Sequence, residues 1–499
     1  MRKKVTGATL CVGQTIDFIG FTVYGDSTTK NLSKGITVKW NLKWDFESGG
    51  KLQSYTEIRA QENQFANISM LNGEVVTNNT TQASGISART FVDGAWGFSS
   101  HPEISDSNLA VVVKSSFKNA KDLKNFQHFS SSHFSKIPGA HGEQNLSTKK
   151  EILSAAQRID YLKNINDLIL KRYPKIHNRS LTIREQTFIK EIINSESAKT
   201  FDHFCRSYIY VTLSMQGNHG PVSLLKVFGG YGEFEDQIPS EEIFNSEIEK
   251  IYQHLLNKSQ GVHAQAGIKD VILDSKMAGI LAHEAVGHTV EADIVKGGSI
   301  ARENMGLEVA SPLITMMDYA HTAFGKTCPS PVYFDDEGTP AEDTILIKEG
   351  VLKSFMHSKE TAAEFGVKPT GHARAWGFND EPLIRMRNTA ILPGSQNLEE
   401  MIASIDDGYF LMDHSNGQAD STSEFMFGVI QGYEIKKGKL GKAILDTTIS
   451  GVAFDMLKTV DMVSNEMNWV GAGTCGKKQA MHVGMGGPAI KCKLNIGGK

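Results

Sequence analysis

Two histidines and a glutamate fall within six residues in His283-Glu284-Ala285-Val286-Gly287-His288. Neutral imidazole is a good zinc ligand, and zinc lowers the pKa of a bound water to about 7. A carboxylate beside the first ligand is placed to take the proton from that water. The helical form of this motif usually spaces its histidines four apart, and here they are five apart. On a regular α-helix five residues leave a rotation of roughly 140° between two side chains. The spacing therefore predicts a helix that widens locally, as a π-bulge, or ends between the histidines, with Gly287 easing the break. A catalytic zinc site needs a third protein ligand and an open fourth position. Glu291, Asp293 and Cys475 are the candidates. Cys475 lies in Gly471-Ala472-Gly473-Thr474-Cys475-Gly476-Lys477, where glycines and a nearby cation would expose and acidify a thiol. His372, Tyr433 and His482 are candidates for stabilising an oxyanion, each with a purely structural role as the alternative.

The elements that must position these residues emerge from periodicity. Val271-Ile272-Leu273 is a buried strand, and Asp274 or Ser275 caps the helix that carries the motif. Upstream, Ile36 to Trp44 alternates like one half-buried strand. Ile68 to Val76 turns at Asn72-Gly73, a hairpin signal, and Ile86 to Val92 turns at Asp93-Gly94 towards Ala95 to Phe98. Leu109 to Ala120 has helical spacing. Phe126 to Gly142 looks like a linker or covering loop. A helix is expected from Thr148 to Arg172, strands over Phe188 to Ile193 and Tyr208 to Leu213, and a second helix from Glu241 to Leu256. From Pro331 onward, short apolar runs separated by Gly, Asp and Pro favour strands, in a curved sheet or barrel.

With 499 residues the chain has room for roughly three domains. The expected class is α+β and multi-domain. An atypical segment, 1–53, precedes a small amino-terminal α+β domain, 54–125. A middle α+β domain covers 144–258, and a strand-rich, barrel-like carboxy-terminal domain covers 266–499. A net charge of -4 and the lack of a long basic run argue against a nucleic-acid partner. Five widely spaced cysteines show no disulfide framework, and a reduced compartment is the simpler expectation. Met1-Arg2-Lys3-Lys4 is basic, but the stretch from Val5 to Leu10 is too short and too polar for the apolar core of a signal peptide. No run of about 18 apolar residues suggests a membrane span. The expected location is cytoplasmic.

Several blocks beyond the metal motif carry a resemblance. His283 to Asp293 (HEAVGHTVEAD), Phe334-Asp335-Asp336-Glu337-Gly338-Thr339, Arg385-Met386-Arg387-Asn388-Thr389 and Gly473-Thr474-Cys475-Gly476-Lys477 resemble, in order, blocks of the TldD/PmbA metallopeptidases. Asn72-Gly73 and Val92 to Phe98 resemble the amino-terminal domain of that family. The resemblance spans about residues 54–498. It implies a zinc site of His283, His288 and Cys475, with Glu284 as the catalytic acid. It also implies unfolded or extended peptide substrates and a chamber enclosed by a dimer. The dimer would be a homodimer or a heterodimer with a PmbA-like partner. The family divides into catalytic subunits and partners lacking the metal motif, and this chain keeps the motif. It departs from the family pattern in residues 1–53, in Thr370-Gly371-His372-Ala373-Arg374, and at Arg387 and Ser423. The alternative is a non-catalytic peptide-binding or assembly subunit, which should lack one of His283, Glu284 or His288. A structural zinc site would need a fourth protein ligand. A redox role for Cys475 lacks a partner cysteine in a C-x-x-C pair.

Overall fold

The computed structural model describes residues 39–46, 55–124 and 137–497. Asn72 and Gly73, both at positive φ, close a hairpin between β1 (Tyr55–Leu71) and β2 (Glu74–Val92). β2 runs unbroken through Thr77 to Gln82, whose polar residues carry no apolar alternation, so the sequence shows only its two ends. Asp93-Gly94 then turns the chain into β3 (Ala95–His101), and α1 (Asp106–Leu123) starts from its Ser105 cap. After β4 (His141–Asn145), α2 (Ala155–Arg172) begins later than periodicity suggests. The reason is a capping box between Ser154 and Gln157, which fixes the helix start. β5 (Asn178–Asn194), β6 (Lys199–Gly217) and β7 (Gly220–Tyr231) form a meander, followed by α3 (Phe234–Gln237) and α4 (Glu241–Ser259).

β1 pairs β5 from Glu57 opposite Asn194 to Leu71 opposite Ser180. One seven-stranded sheet, in the order β3-β2-β1-β5-β6-β4 with β7 on β6, thus joins the two amino-terminal stretches. Its faces differ. Ile58, Ala60, Ile86 and Ala88 pack on Leu109, Val112 and Val113 of α1, and Ile183, Ile209 and Val211 pack on α2 and α4. The residues that alternate with these are polar. The Gln61 and Asn63 amides donate to the Trp376 carbonyl at 2.7 and 2.8 Å, and Arg59 donates to the Gly377 carbonyl at 3.0 Å. This face receives the carboxy-terminal half of the chain. The strand expected over Ile36 to Trp44 is not formed where the structure describes it. Ile36 and Val38 lie outside the described residues, and 39–46 holds no strand. There the Glu191 carboxylate, rather than a neighbouring strand, accepts from the N–H groups of Asn41 and Leu42, at 2.9 and 2.7 Å.

The carboxy-terminal half is built on a closed ring. β8 (Gly267–Leu273) pairs in parallel with Asp407–Ala419, which pairs with Glu424–Lys436, then Thr447–Val452, then Met481–Ile496, which returns to β8. Met462–Cys475 forms a hairpin with Met481–Ile496 outside this ring. The fold is α+β with a closed barrel. Among the described residues no helix is long and apolar enough to cross a membrane.

Buried ion pairs join sheet to barrel. Both Asp336 oxygens accept from Lys190 at 2.9 Å, and one also accepts from the Ala375 N–H at 2.6 Å; Arg59 lies 3.8 Å away. Arg89 bridges Glu57 and Glu337. Burial acts to raise the Asp336 carboxyl, but Lys190 and Arg59 outweigh it and hold it below its ordinary value. Asp336→Ala would strand two buried cations. Its expected cost is about 3–5 kcal/mol, measured as a lower denaturation midpoint of the intact chain. Adding Lys190→Met should restore part of the loss. Because the folded pKa is the lower one, the Asp336 contribution is present above the unfolded value of about 3.9 and fades as pH falls through the folded one. A loss under about 1 kcal/mol, the range of an exposed pair, would show that the cations find other partners.

Candidate metal centre

Asp274 starts the helix after β8 by accepting from the N–H groups of Lys276 and Met277, at 3.0 and 2.9 Å. α5 (Ser275–Leu281) is buried from Met277 to Leu281, as expected of a helix enclosed by protein. Ala282–Gly287 then forms a π-helical turn, closed by a hydrogen bond from the His288 N–H to the His283 carbonyl. The expected widening is therefore present, and it lies between the two histidines themselves. A wider turn returns the fifth residue towards the face of the first. The imidazole centres stand 5.1 Å apart. A short 3₁₀ turn, His288–Val290, ends the helix, and Glu291 leaves it in extended conformation.

Gly287 does not relieve backbone strain, since its φ of -54° and ψ of -47° are ordinary helical values. It is needed for space. A Cβ there would lie 2.1 Å from the Met386 sulfur.

The third residue arrives from the end of the strand Met462–Cys475. Cys475 Sγ lies 3.2 Å from His288 Nε2, and the ligand atoms of His283, His288 and Cys475 all lie within 4.8 Å of one another. The Glu284 carboxylate is 3.6 Å from His283 Nε2 and 3.8 Å from His288 Nε2. All four side chains are buried. Among the described residues, both His283 nitrogens and both Glu284 oxygens lack a hydrogen-bond partner. Buried polar atoms are seldom left so, and four together in one place point to an absent group. Two imidazoles and a thiol are a donor set that suits zinc.

Glu291 and Asp293, the rival third ligands, stand behind this set. Glu291 takes the other nitrogen of His288, with Nδ1 to Oε2 at 2.7 Å. Lys477 lies 3.1 Å from Glu291 and 2.7 Å from Asp293. Arg385 donates to the carbonyls of Cys475 and Gln479, at 2.9 and 2.6 Å, and so pins the loop that carries the thiol. In the sequence Lys477 has only the role of a cation near the thiol, whereas it stands on Glu291 and Asp293, and Arg385 has none, although both lie inside family-like blocks. His372 is held by Asp318 at 3.0 Å, and Arg387 shares that carboxylate at 2.8 Å. Tyr433 hydrogen-bonds His254 and Asn257, away from the cluster. His482 lies on the strand opposite Thr474. A second cluster, His203, Cys205 and Glu233, also brings ligand atoms within 4.8 Å. Here hydrogen bonds satisfy it: Asn145 meets His203, and the Cys205 thiol donates to Glu233 at 2.9 Å.

Burial pushes the Glu284 carboxyl up to about 7. Burial also acts to raise the Cys475 thiol, but His288 and Arg385 outweigh it and hold it well below the ordinary range. Lys477 and His288 likewise overcome burial at Glu291 and hold it down to about 2.

Two family sequence models match the chain: "PmbA/TldA metallopeptidase C-terminal domain" over 266–498 and "PmbA/TldA metallopeptidase domain 1" over 56–120. A metalloprotease of Methanocaldococcus jannaschii is 28% identical over 465 residues, covering 88% of this chain and 95% of its own. The zinc metalloprotease TldD homolog of Saccharolobus solfataricus is 26% identical over 418 residues, covering 83% and 90%. The crystal structure of TldE from Thermococcus kodakarensis superposes with a TM-score of 0.69 over 89% of this chain and 97% of its own, at 17% identity. That likeness is one of fold.

The close approach of Met386 gives a specific test. Gly287→Ala should lower stability by about 1–3 kcal/mol, the range for overpacking, and disturb the His283–His288 turn. Combining it with Met386→Ala should recover part of the loss in denaturation midpoint. No recovery would mean that the added methyl strains the turn itself.

Proposed function

The chain belongs to the PmbA/TldD family of metallopeptidases, and on that premise we propose that it is a zinc peptidase acting on unfolded or extended peptides. His283, His288 and Cys475 hold the ion, and Glu284 is the general base. The observation that carries this reading is the buried Glu284 carboxylate, without a hydrogen-bond partner, beside two imidazoles and a thiol. When bound in that set, zinc acidifies a water and polarises a carbonyl. The other steps belong to the chain. Glu284 takes a proton from the attacking water and returns it to the nitrogen of the leaving amine. A carboxyl pushed up to about 7 by burial is suited to both transfers. Glu291 accepts the Nδ1 proton of His288 and turns Nε2 towards Cys475. Lys477 offsets the charge of Glu291, and Arg385 fixes the backbone of Cys475.

An extended peptide is accommodated through main-chain bonds. From Glu466 to Cys475, the strand Met462–Cys475 pairs along one edge only among the described strands, and it ends at the thiol. An open edge binds backbone with little regard for side chains. By analogy with the family, two subunits enclose the chamber, either two copies of this chain or one with a PmbA-like partner. The alternative of a non-catalytic assembly subunit is disfavoured because the ligand set and Glu284 are all present.

The ligand set is tested by metal analysis. The chain should carry about one zinc, the count for a single three-ligand site, and His283→Ala, His288→Ala and Cys475→Ala should each lose most of it. Full metal content in Cys475→Ala would remove that residue from the site. The base is tested separately. Glu284→Gln should keep zinc and peptide affinity while hydrolysis falls at least about a hundredfold. Unchanged cleavage would sink the assignment, and loss of zinc would make Glu284 a structural support.

A further inference from the structure

Between the polar face of the sheet and the barrel lies a partly open cavity of about 50 Å³, lined by β5, β6, the loop after Ser330 and the segment Arg374–Trp376. That space holds a few water-sized groups. Arg206 is fully buried in its wall. Among the described residues one of its five N–H donors is used, from Nη2 to Ser330 Oγ at 2.8 Å, while Nε and Nη1 have no partner. Arg374 stands beside it, donating to the Met386 and His482 carbonyls at 2.6 and 2.9 Å and reaching the same Ser330. Among the described residues neither guanidinium has a carboxylate within 4 Å. The acids of this wall are otherwise engaged or partly neutral. Asp336 is held by Lys190, and burial pushes Asp202 up to about 7. Two buried guanidiniums with one hydroxyl between them and open donors are an incomplete constellation, since a buried charge is costly unless it is paired.

We propose that this cavity receives a carboxylate of a bound peptide, with Arg206 and Arg374 as its recognising pair. Guanidinium presents paired N–H groups that match the two oxygens of a carboxylate. Trp376 and His482, with ring centres 5.0 Å apart, give the cavity an aromatic wall for the stem that carries the charge. The cavity is linked to the candidate metal centre through neighbouring residues. Met481, which lines it, sits opposite Cys475 in the hairpin register, and Arg374 holds the carbonyl of Met386, whose sulfur abuts Gly287. The carboxylate could come from the end of the peptide or from an Asp or Glu side chain. As a determinant of peptide preference the inference rests on the peptidase reading, but binding alone tests it.

The experiment measures equilibrium binding of labelled peptides to the full-length Glu284→Gln variant, which should bind without cutting. One peptide pair differs in a free or amidated C-terminus, and a second differs in an interior Glu or Gln. The acid form of one pair should bind at least about tenfold more tightly, and which pair shows it identifies the source of the carboxylate. Adding Arg206→Gln should bring that ratio close to one, while Arg206→Lys should keep part of it. Equal binding within both pairs overturns the proposal. So does a ratio that survives Arg206→Gln in the folded protein. If Arg206→Gln does not fold, an undiminished ratio in Arg374→Lys together with an undiminished ratio in Arg206→Lys overturns it. A preserved acid preference in a chain whose parent cuts no peptide would support the carboxylate site and defeat only the peptidase reading.

Discussion

Five residues separate His283 from His288, and one backbone hydrogen bond reconciles that spacing with a shared centre. The bond from the His288 N–H to the His283 carbonyl closes a π turn, so the second imidazole comes round beside the first. Everything else at the centre is arranged to hold that turn. Asp274 fixes where the helix begins. Burial on all sides leaves it no room to rewind. The exit is pinned by a pair of backbone bonds, from the Ala292 N–H to the Met356 carbonyl and from the Met356 N–H to the Val290 carbonyl, both at 3.0 Å. A regular α-helix would keep its own hydrogen bonds and lose the site. The packing around the turn leaves no room for a side chain at Gly287, where an added Cβ would meet the Met386 sulfur.

Charge balance is the second constraint. Glu284, Glu291 and the acidified thiol of Cys475 lie close together in a buried place, where unpaired charge is expensive. The chain answers with Lys477 against Glu291 and Arg385 behind Cys475. Both cations also act on the backbone: Lys477 donates to the Ile384 carbonyl at 3.0 Å, and Arg385 to the carbonyls around it. The segments Ile384–Met386 and Cys475–Gln479 are thus clamped to one another. The clamp that balances charge also sets the height of the thiol relative to the helix.

Much of this is legible in the sequence, for a definable reason. His283, Glu284 and His288 stand out because their chemistry is local, and their odd spacing itself demands the wider turn. Cys475 is a candidate from its glycine-rich setting, but its proximity to His288 depends on a hairpin register that no local pattern encodes. Glu291 is one of three candidate third ligands in the sequence, where no spacing singles one out, and its carboxylate meets the Nδ1 of His288, a placement only geometry can give. The hairpin at Asn72-Gly73 is clear because the turn needs positive φ at both residues. The length of β2 is not, because its middle is polar and exposed. β7 escapes sequence reading although Val222, Leu224 and Phe228 share one face, since glycines at both ends read as loop. The segment 39–46 alternates like a strand yet serves as a strap on Glu191.

The polar face of the large sheet shows why such patterns fail. Arg59, Gln61 and Arg89 alternate with Ile58, Ala60 and Ala88 as on any half-solvated sheet. Simple alternation would assign them to water. They are largely buried, because the barrel half supplies Asp336, Glu337 and the carbonyls of Trp376 and Gly377 as partners. An interface made this way fixes orientation more than it adds stability, since each buried pair must first repay its desolvation. Orientation is what the site needs. The same loops that meet the sheet, Phe334–Thr339 and Arg374–Trp376, border both the ion-pair layer and the cavity beside Cys475 and Met481. The sheet therefore forms one wall of the cavity lined by Met481, the hairpin partner of Cys475, and its ion pairs with the barrel half fix how the two halves face one another.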